Sequence, residues 1–114
     1  MGDLTPHFSQ SEFRDKRAGV SVDVPVRLLG ALEHLRGQVG RPIVIVSGYR
    51  TLDTNRAVGG APASRHLVGD AVDIPPGIAT VDQAEAAGFV GIGSSGPWAI
   101  HVDVRPGPPA RWTY

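Results

Sequence analysis

The 114-residue chain contains no cysteine, which excludes disulfides, thiolate nucleophiles and every cysteine-based metal site. Any metal must therefore be held by histidine and carboxylate. Nor is there an excess of charge: eleven Lys and Arg balance eleven Asp and Glu, leaving no electrostatic footprint for a polyanion or an anionic membrane surface. Nucleic acid is not expected as a partner. No apolar run approaches the roughly 18 to 20 residues of a membrane span, and Met1-Gly2-Asp3-Leu4-Thr5-Pro6 lacks the basic and apolar segments of a signal peptide. The expectation is a soluble chain without an export address. It has no internal repeat and no linker, and its 41% hydrophobic content suffices for one modest core, so a single domain over 1–114 is expected.

What the chain does have is 15 Gly and 10 Pro, which imply short elements joined by many loops. Ser9-x-x-Glu12 is a capping-box pattern with Phe8 and Phe13 placed to staple, predicting a short N-terminal helix. Leu28, Leu29, Leu32 and Leu35 recur at helical spacing and predict a helix over 24–36, stopped near Gly37 and Gly40. The β-branched run Ile43-Val44-Ile45-Val46-Ser47 reads as a buried, central strand. A polar, irregular stretch follows over 48–69, with one or two helical turns from Thr51 to Ala57. Asp70–Ile74 reads as a strand, and Thr80-x-x-Gln83 caps a helix from Val81 to Ala87. Phe89–Ile92 and Trp98–Val104 are strand candidates joined as a hairpin. The tail 106–114 is a wrap packed by Trp112 and Tyr114, or partly disordered. This order predicts an α+β domain with a small, mostly antiparallel sheet and flanking helices.

Two segments carry metal-ligand chemistry. In Ser64-Arg65-His66-Leu67-Val68-Gly69-Asp70-Ala71-Val72-Asp73, His66 lies on a loop and Asp73 on the strand that follows, and Gly69 turns the chain between them. In Ile100-His101-Val102-Asp103, strand alternation puts His101 and Asp103 on one face with Ala99, and Ile100, Val102 and Val104 on the other. Two imidazoles and one carboxylate fill three positions of a tetrahedral zinc and leave the fourth for water, as in hydrolytic sites.

These residues resemble the zinc D-Ala-D-Ala carboxypeptidases and related peptidoglycan peptidases of the M15 family, which share their fold with the hedgehog signalling domain. The family's S-x-H-x-x-G-x-A-x-D is matched by Ser64, His66, Gly69, Ala71 and Asp73, and its H-V-D strand by His101-Val102-Asp103. Ser47-Gly48-Tyr49-Arg50-Thr51, Asn55, His7-Phe8-Ser9-x-x-Glu12-Phe13 and Gly91-Ile92-Gly93 extend the resemblance from about residue 7 to 105. It implies zinc bound by His66, Asp73 and His101, and Arg50 placed to bind a substrate carboxylate or polarise the scissile carbonyl. Such enzymes carry an acid or a His two or three residues before the third ligand, where this chain has Trp98 and Ala99. The nearest replacement base is Asp103, which could instead orient the ligand imidazole; Asp82 and Glu85 are further candidates.

Among the remaining polar residues, Ser64 either donates to a ligand or caps a turn, and Asn55 either binds substrate or holds the long loop. Tyr49 and Trp98 read as packing, Asp70 as a solvated loop acid, and His7 and His34 as without a metal role. The function expected is a zinc metallopeptidase cutting peptidoglycan stem or cross-bridge peptides, by D-Ala-D-Ala carboxypeptidase or related endopeptidase activity. The alternatives are a non-catalytic, zinc-containing recognition module of hedgehog-like fold, or an amidase on the same scaffold. The expected protein is a monomer acting on the cell wall, phage-released, virion-associated or excised from an exported chain.

Overall fold

A computed structural model describes residues 2–114. Its elements are a 3-10 turn Gln10–Glu12, α1 Val26–Val39, α2 Leu52–Ala57, a 3-10 turn Arg65–Val68, β1 Ala71–Asp73, α3 Val81–Ala86, β2 Gly91–Ser95, β3 Trp98–Asp103 and β4 Ala110–Thr113. The strands form one sheet in the order β1-β3-β2-β4; β1 and β2 flank β3 antiparallel, and β4 runs parallel to β2. The α+β architecture expected from the sequence is present.

The sheet has two faces of different chemistry. Val72, Ile92, Ala99, Val102 and Val104 join Leu28, Leu29, Leu32 and Leu35 of α1 and Ala84 of α3 in one buried core. The predicted leucine stripe is thus the face α1 presents to the sheet. That helix runs past Gly37 and ends at Gly40, whose φ of 68° is the left-handed conformation of a helix C-terminus. Phe8 and Phe13 staple the N-terminal turn, with ring centroids 6.2 Å apart and both rings buried. Thr80 and Gln83 cap α3 reciprocally.

Three expectations need correction. Ile43–Ser47 is not a central strand: Ile43 and Ile45 are buried while Val44 and Val46 are exposed, and only Ser47 bridges β1, at Asp73. The Lys16 ammonium, and no neighbouring strand, donates to the Ile45 and Val46 carbonyls. Alternation in β3 also breaks, because Gly93 pairs with His101 but Ser94 pairs with Ala99, leaving Ile100 as a bulge. Ala99 therefore turns into the core, away from His101, and Ile100 lines the opposite face. Finally, the tail supplies β4, which puts Trp112 in register with Gly93.

Candidate metal centre

The pairing register builds the site. Asp73 stands opposite His101, His101 opposite Gly93 and Gly93 opposite Trp112, so one row across the face away from the core reads Asp73, His101, Gly93, Trp112. The neighbouring row reads Ala71, Asp103, Gly91, Ala110. His66 enters from the 3-10 turn after Ser64, whose hydroxyl accepts from the His66 amide at 3.3 Å. Gly69, with φ of 80°, then reverses the chain into β1.

His66, Asp73 and His101 each direct one ligand-type atom to a common point, all within 4.8 Å of one another. His66 Nε2 lies 3.1 Å and His101 Nδ1 3.3 Å from Asp73 Oδ1. The outward nitrogens are also held: His66 Nδ1 is 2.7 Å from the Gly48 carbonyl, and His101 Nε2 is 2.8 Å from Asp103 Oδ2. A carbonyl or carboxylate can only accept, so each outward nitrogen is a donor, and the inward nitrogen, which can donate to Asp73 Oδ1 when it carries a proton, is the atom left to ligate a metal when it does not. The outward acceptors, the Gly48 carbonyl and Asp103, are of the kind that orient imidazoles in metal sites. The three residues fit a metal ion.

Burial opposes ionisation of Asp73, yet the hydrogen bonds and charge of the two imidazoles outweigh it and hold the carboxyl far below the ordinary carboxylate range. Burial likewise disfavours the His101 cation, but its contacts with Asp103 and Asp73 push its pKa up. Arg50 lies on the other side of Asp73: Nη2 donates to Oδ2 at 2.9 Å, Nε to the Ser47 hydroxyl and Nη1 to Asn55 Oδ1.

Asp103 has no exposed surface. Oδ1 accepts from the Gly91 and Arg105 amides and Arg105 Nε, and Oδ2 from Arg105 Nη2 and His101. Burial is outweighed by these bonds, Arg105 foremost, and the carboxyl stays far below its usual range. Such a group is a poor proton acceptor and does not reach the open cleft. Its geometry is that of the orienting carboxylate and not of the base. Asp82 and Glu85 do not line the cleft either, and Glu85 pairs with Arg111. Asn55 is buried and does not line the cleft; its amide donates to the Ala61 carbonyl at 2.9 Å and its oxygen accepts from Arg50, so it holds the loop and Arg50 in place. Asp70 is no solvated acid: it is buried in a bidentate pair with Arg65.

The triad opens into a cleft of about 1020 Å³, whose lining includes apolar Val46, Ile74, Ile100 and Trp112 and polar Arg50, Ser64, Arg65 and Arg105. Among the described residues of this lining, Asp73 is the one acidic side chain. Trp112 packs on His101 with ring centroids 4.9 Å apart. Arg105 and Trp112 join the cleft without a role expected from the sequence. The Asp103-x-Arg105 spacing on a strand end was the available signal for the first; no local signal exists for the second, which arrives through the β2–β4 register.

Two glycines make this arrangement sterically feasible. A Cβ at Gly91 would lie 2.2 Å from an Asp103 carboxylate oxygen, and one at Gly93 would lie 2.5 Å from Trp112 Nε1.

Comparison with curated proteins gives no match. The family described as Peptidase M15 matches residues 6–103, a segment that contains the whole triad and Arg50. With His66, Asp73 and His101 converged inside that segment, the chain belongs to the peptidase M15 family of metallopeptidases.

Proposed function

We propose that the protein is a zinc peptidase acting on bacterial peptidoglycan, cutting a stem or cross-bridge peptide as a D-Ala-D-Ala carboxypeptidase or a related endopeptidase. The observation that carries this reading is the convergence of His66 Nε2, Asp73 Oδ1 and His101 Nδ1 at one point of an open cleft, with each outward imidazole nitrogen already bonded. Zinc held by these three residues supplies Lewis acidity and lowers the pKa of water. Around it the chain's own groups have defined tasks. Gly48 and Asp103 fix the imidazole tautomers, Arg50 holds the second oxygen of Asp73, and Ile100 and Trp112 wall off bulk water. Ser64 and the exposed fraction of Arg50 face the cleft where a peptide would lie. The place of action is the cell wall, and the working unit is a monomer.

One observation favours a second reading. Among the described residues that line the cleft no acidic side chain besides Asp73 stands ready to manage a proton, which suits a non-catalytic, metal-containing recognition module.

Metal content and hydrolysis of purified peptidoglycan and of a D-Ala-D-Ala peptide, measured on one sample with and without chelator, separate the two. Stoichiometric zinc with chelator-sensitive turnover is the expected result, and His66→Ala should lose both. Asp103→Ala should weaken zinc binding about 10- to 100-fold through the loosened imidazole. Zinc and peptide binding with no turnover would establish the recognition module. Stoichiometric zinc in His66→Ala would refute the assigned site.

A further inference from the structure

Beside the two imidazoles, the cleft wall carries two guanidinium groups that ligation of a metal does not use. Arg65 directs Nε and Nη2 to the oxygens of Asp70 at 3.2 and 2.5 Å, and Arg105 directs the same pair to Asp103 at 2.9 and 2.7 Å. Both carboxylates are buried behind the wall and neither lines the cleft, whereas both arginines do. The two pairs are neighbours: the Val104 amide donates to the Asp70 carbonyl, and Ala71 stands opposite Asp103 across β1 and β3.

A guanidinium has five donors in a planar fork, and bidentate pairing occupies one edge. Nη1 of Arg65 and of Arg105 forms no hydrogen bond to the protein among the described residues, and neither atom is buried. Trp112 covers one face of Arg105, its ring centroid 5.2 Å from Cζ. Each fork is thus held rigid from behind with a free edge toward solvent, so an incoming anion would immobilise little more side chain. Arg50 is differently placed, since Ser47, Asn55 and Asp73 each engage one of its nitrogens.

We propose that Arg65 and Arg105 form a carboxylate subsite beside the His66, Asp73, His101 triad, which selects peptides bearing a free carboxylate next to the bond to be cut. This rests on the peptidase reading above. Arg105 lies just beyond the segment that matches the family. The carboxylate has two sources, the peptide C-terminus or an acidic side chain.

Calorimetric titration of the zinc-loaded full chain tests this with four probes: acetyl-D-alanine and its amide for the C-terminal source, and the amides of acetyl-D-glutamate and acetyl-D-glutamine for the side chain. Within at least one pair, the acid should bind about tenfold tighter than its uncharged partner, the pair showing the preference naming the source. Arg65→Gln, with zinc content verified, should remove most of that preference. Arg65→Lys keeps the charge opposite Asp70 but lacks Nη1, so it should show a similar loss even if Arg65→Gln does not fold. Equal binding of acid and amide in both wild-type pairs would overturn the subsite and leave the peptidase reading standing. So would an acid preference that survives in a folded Arg65 variant, because the carboxylate would then lie on the metal alone. Failure of every probe, acid and amide alike, on zinc-loaded protein would count against the peptidase reading itself and remove the subsite with it.

Discussion

Asp15 is the residue whose importance the sequence hides best. It is an ordinary acid among Arg14, Lys16 and Arg17, yet it is buried and accepts from the amides of Arg17, Ala18 and Thr51 at 3.0, 2.8 and 2.8 Å. The last bond pins the turn that carries Arg50. The Phe13 carbonyl takes the Tyr49 amide beside it, and Gly48 fits only because it has no Cβ to meet the Phe13 backbone at 2.7 Å. Burial disfavours the Asp15 anion, but the Thr51 and Ala18 amides and the two threonine hydroxyls outweigh it, and the carboxyl stays far below its usual range. A depressed folded-state pKa stabilises the protein above the ordinary carboxylate pKa of about 3.9, and that stability is lost as pH falls below it. Asp15→Asn cannot satisfy all three amides and should cost about 2 kcal/mol at pH 6. The gap between the urea midpoints of wild type and variant should hold from pH 6 to about pH 4 and narrow progressively below it; a gap unchanged down to about pH 2 would remove Asp15 from the acid transition. The candidate metal ligands, in contrast, were legible, because a chain without cysteine has two polar, glycine-bordered segments rich in histidine and acid, and the family resemblance implies His66, Asp73 and His101 within them. Asp103 was legible as a candidate but not as a role, since the choice between base and orienting group depends on Arg105 closing both its oxygens.

Elements bounded by local chemistry were legible, and those made by pairing were not. The Thr80 and Gln83 cap, the Thr51 cap of α2 and the leucine face of α1 all depend on contacts within a few residues, and they form where the sequence places them. Ile43–Ser47 has the composition of a strand, but a strand needs a partner alongside it, and within this run only Ser47 bridges one, at Asp73. The bulge at Ile100 and the addition of β4 are likewise properties of register, invisible in a single segment. The β4 addition has a steric consequence at Gly93, where an added methyl group would meet Trp112 Nε1 at 2.5 Å with Tyr114 packed close behind at 2.7 Å. Gly93→Ala should therefore lift the aromatic wall from His101, cost about 1 to 3 kcal/mol as an overpacking substitution, and expose the Arg111–Trp112 bond to trypsin. Unchanged trypsin resistance and unchanged Trp fluorescence would show that β4 is not seated by that contact.

At the scale of the whole molecule, the core and the site occupy opposite faces of one thin sheet. None of His66, Asp73 or His101 belongs to the apolar cluster built from α1, α3, the N-terminal staple and the inner sheet positions. The fold's largest burial is thus complete without the metal, and the site's polar groups already have partners within the protein: Asp73 with both imidazoles and Arg50, His66 with Gly48, His101 with Asp103. A small domain whose ligands substitute for a core unfolds when the metal is removed. This chain has both a core and a self-satisfied site, so chelation should leave it folded but less stable. Free zinc at about a thousand times its dissociation constant would add about 4 kcal/mol by mass action, which in a domain of this size raises the melting temperature by about 15 °C or more. Calorimetric melting of chelated and zinc-loaded protein should give one cooperative transition in each state, separated by about that interval. A chelated chain with no transition would place the ligands inside the folding core. Coincident transitions would show that zinc does not distinguish the folded chain from the unfolded one, and the three residues would then hold no zinc in the native protein.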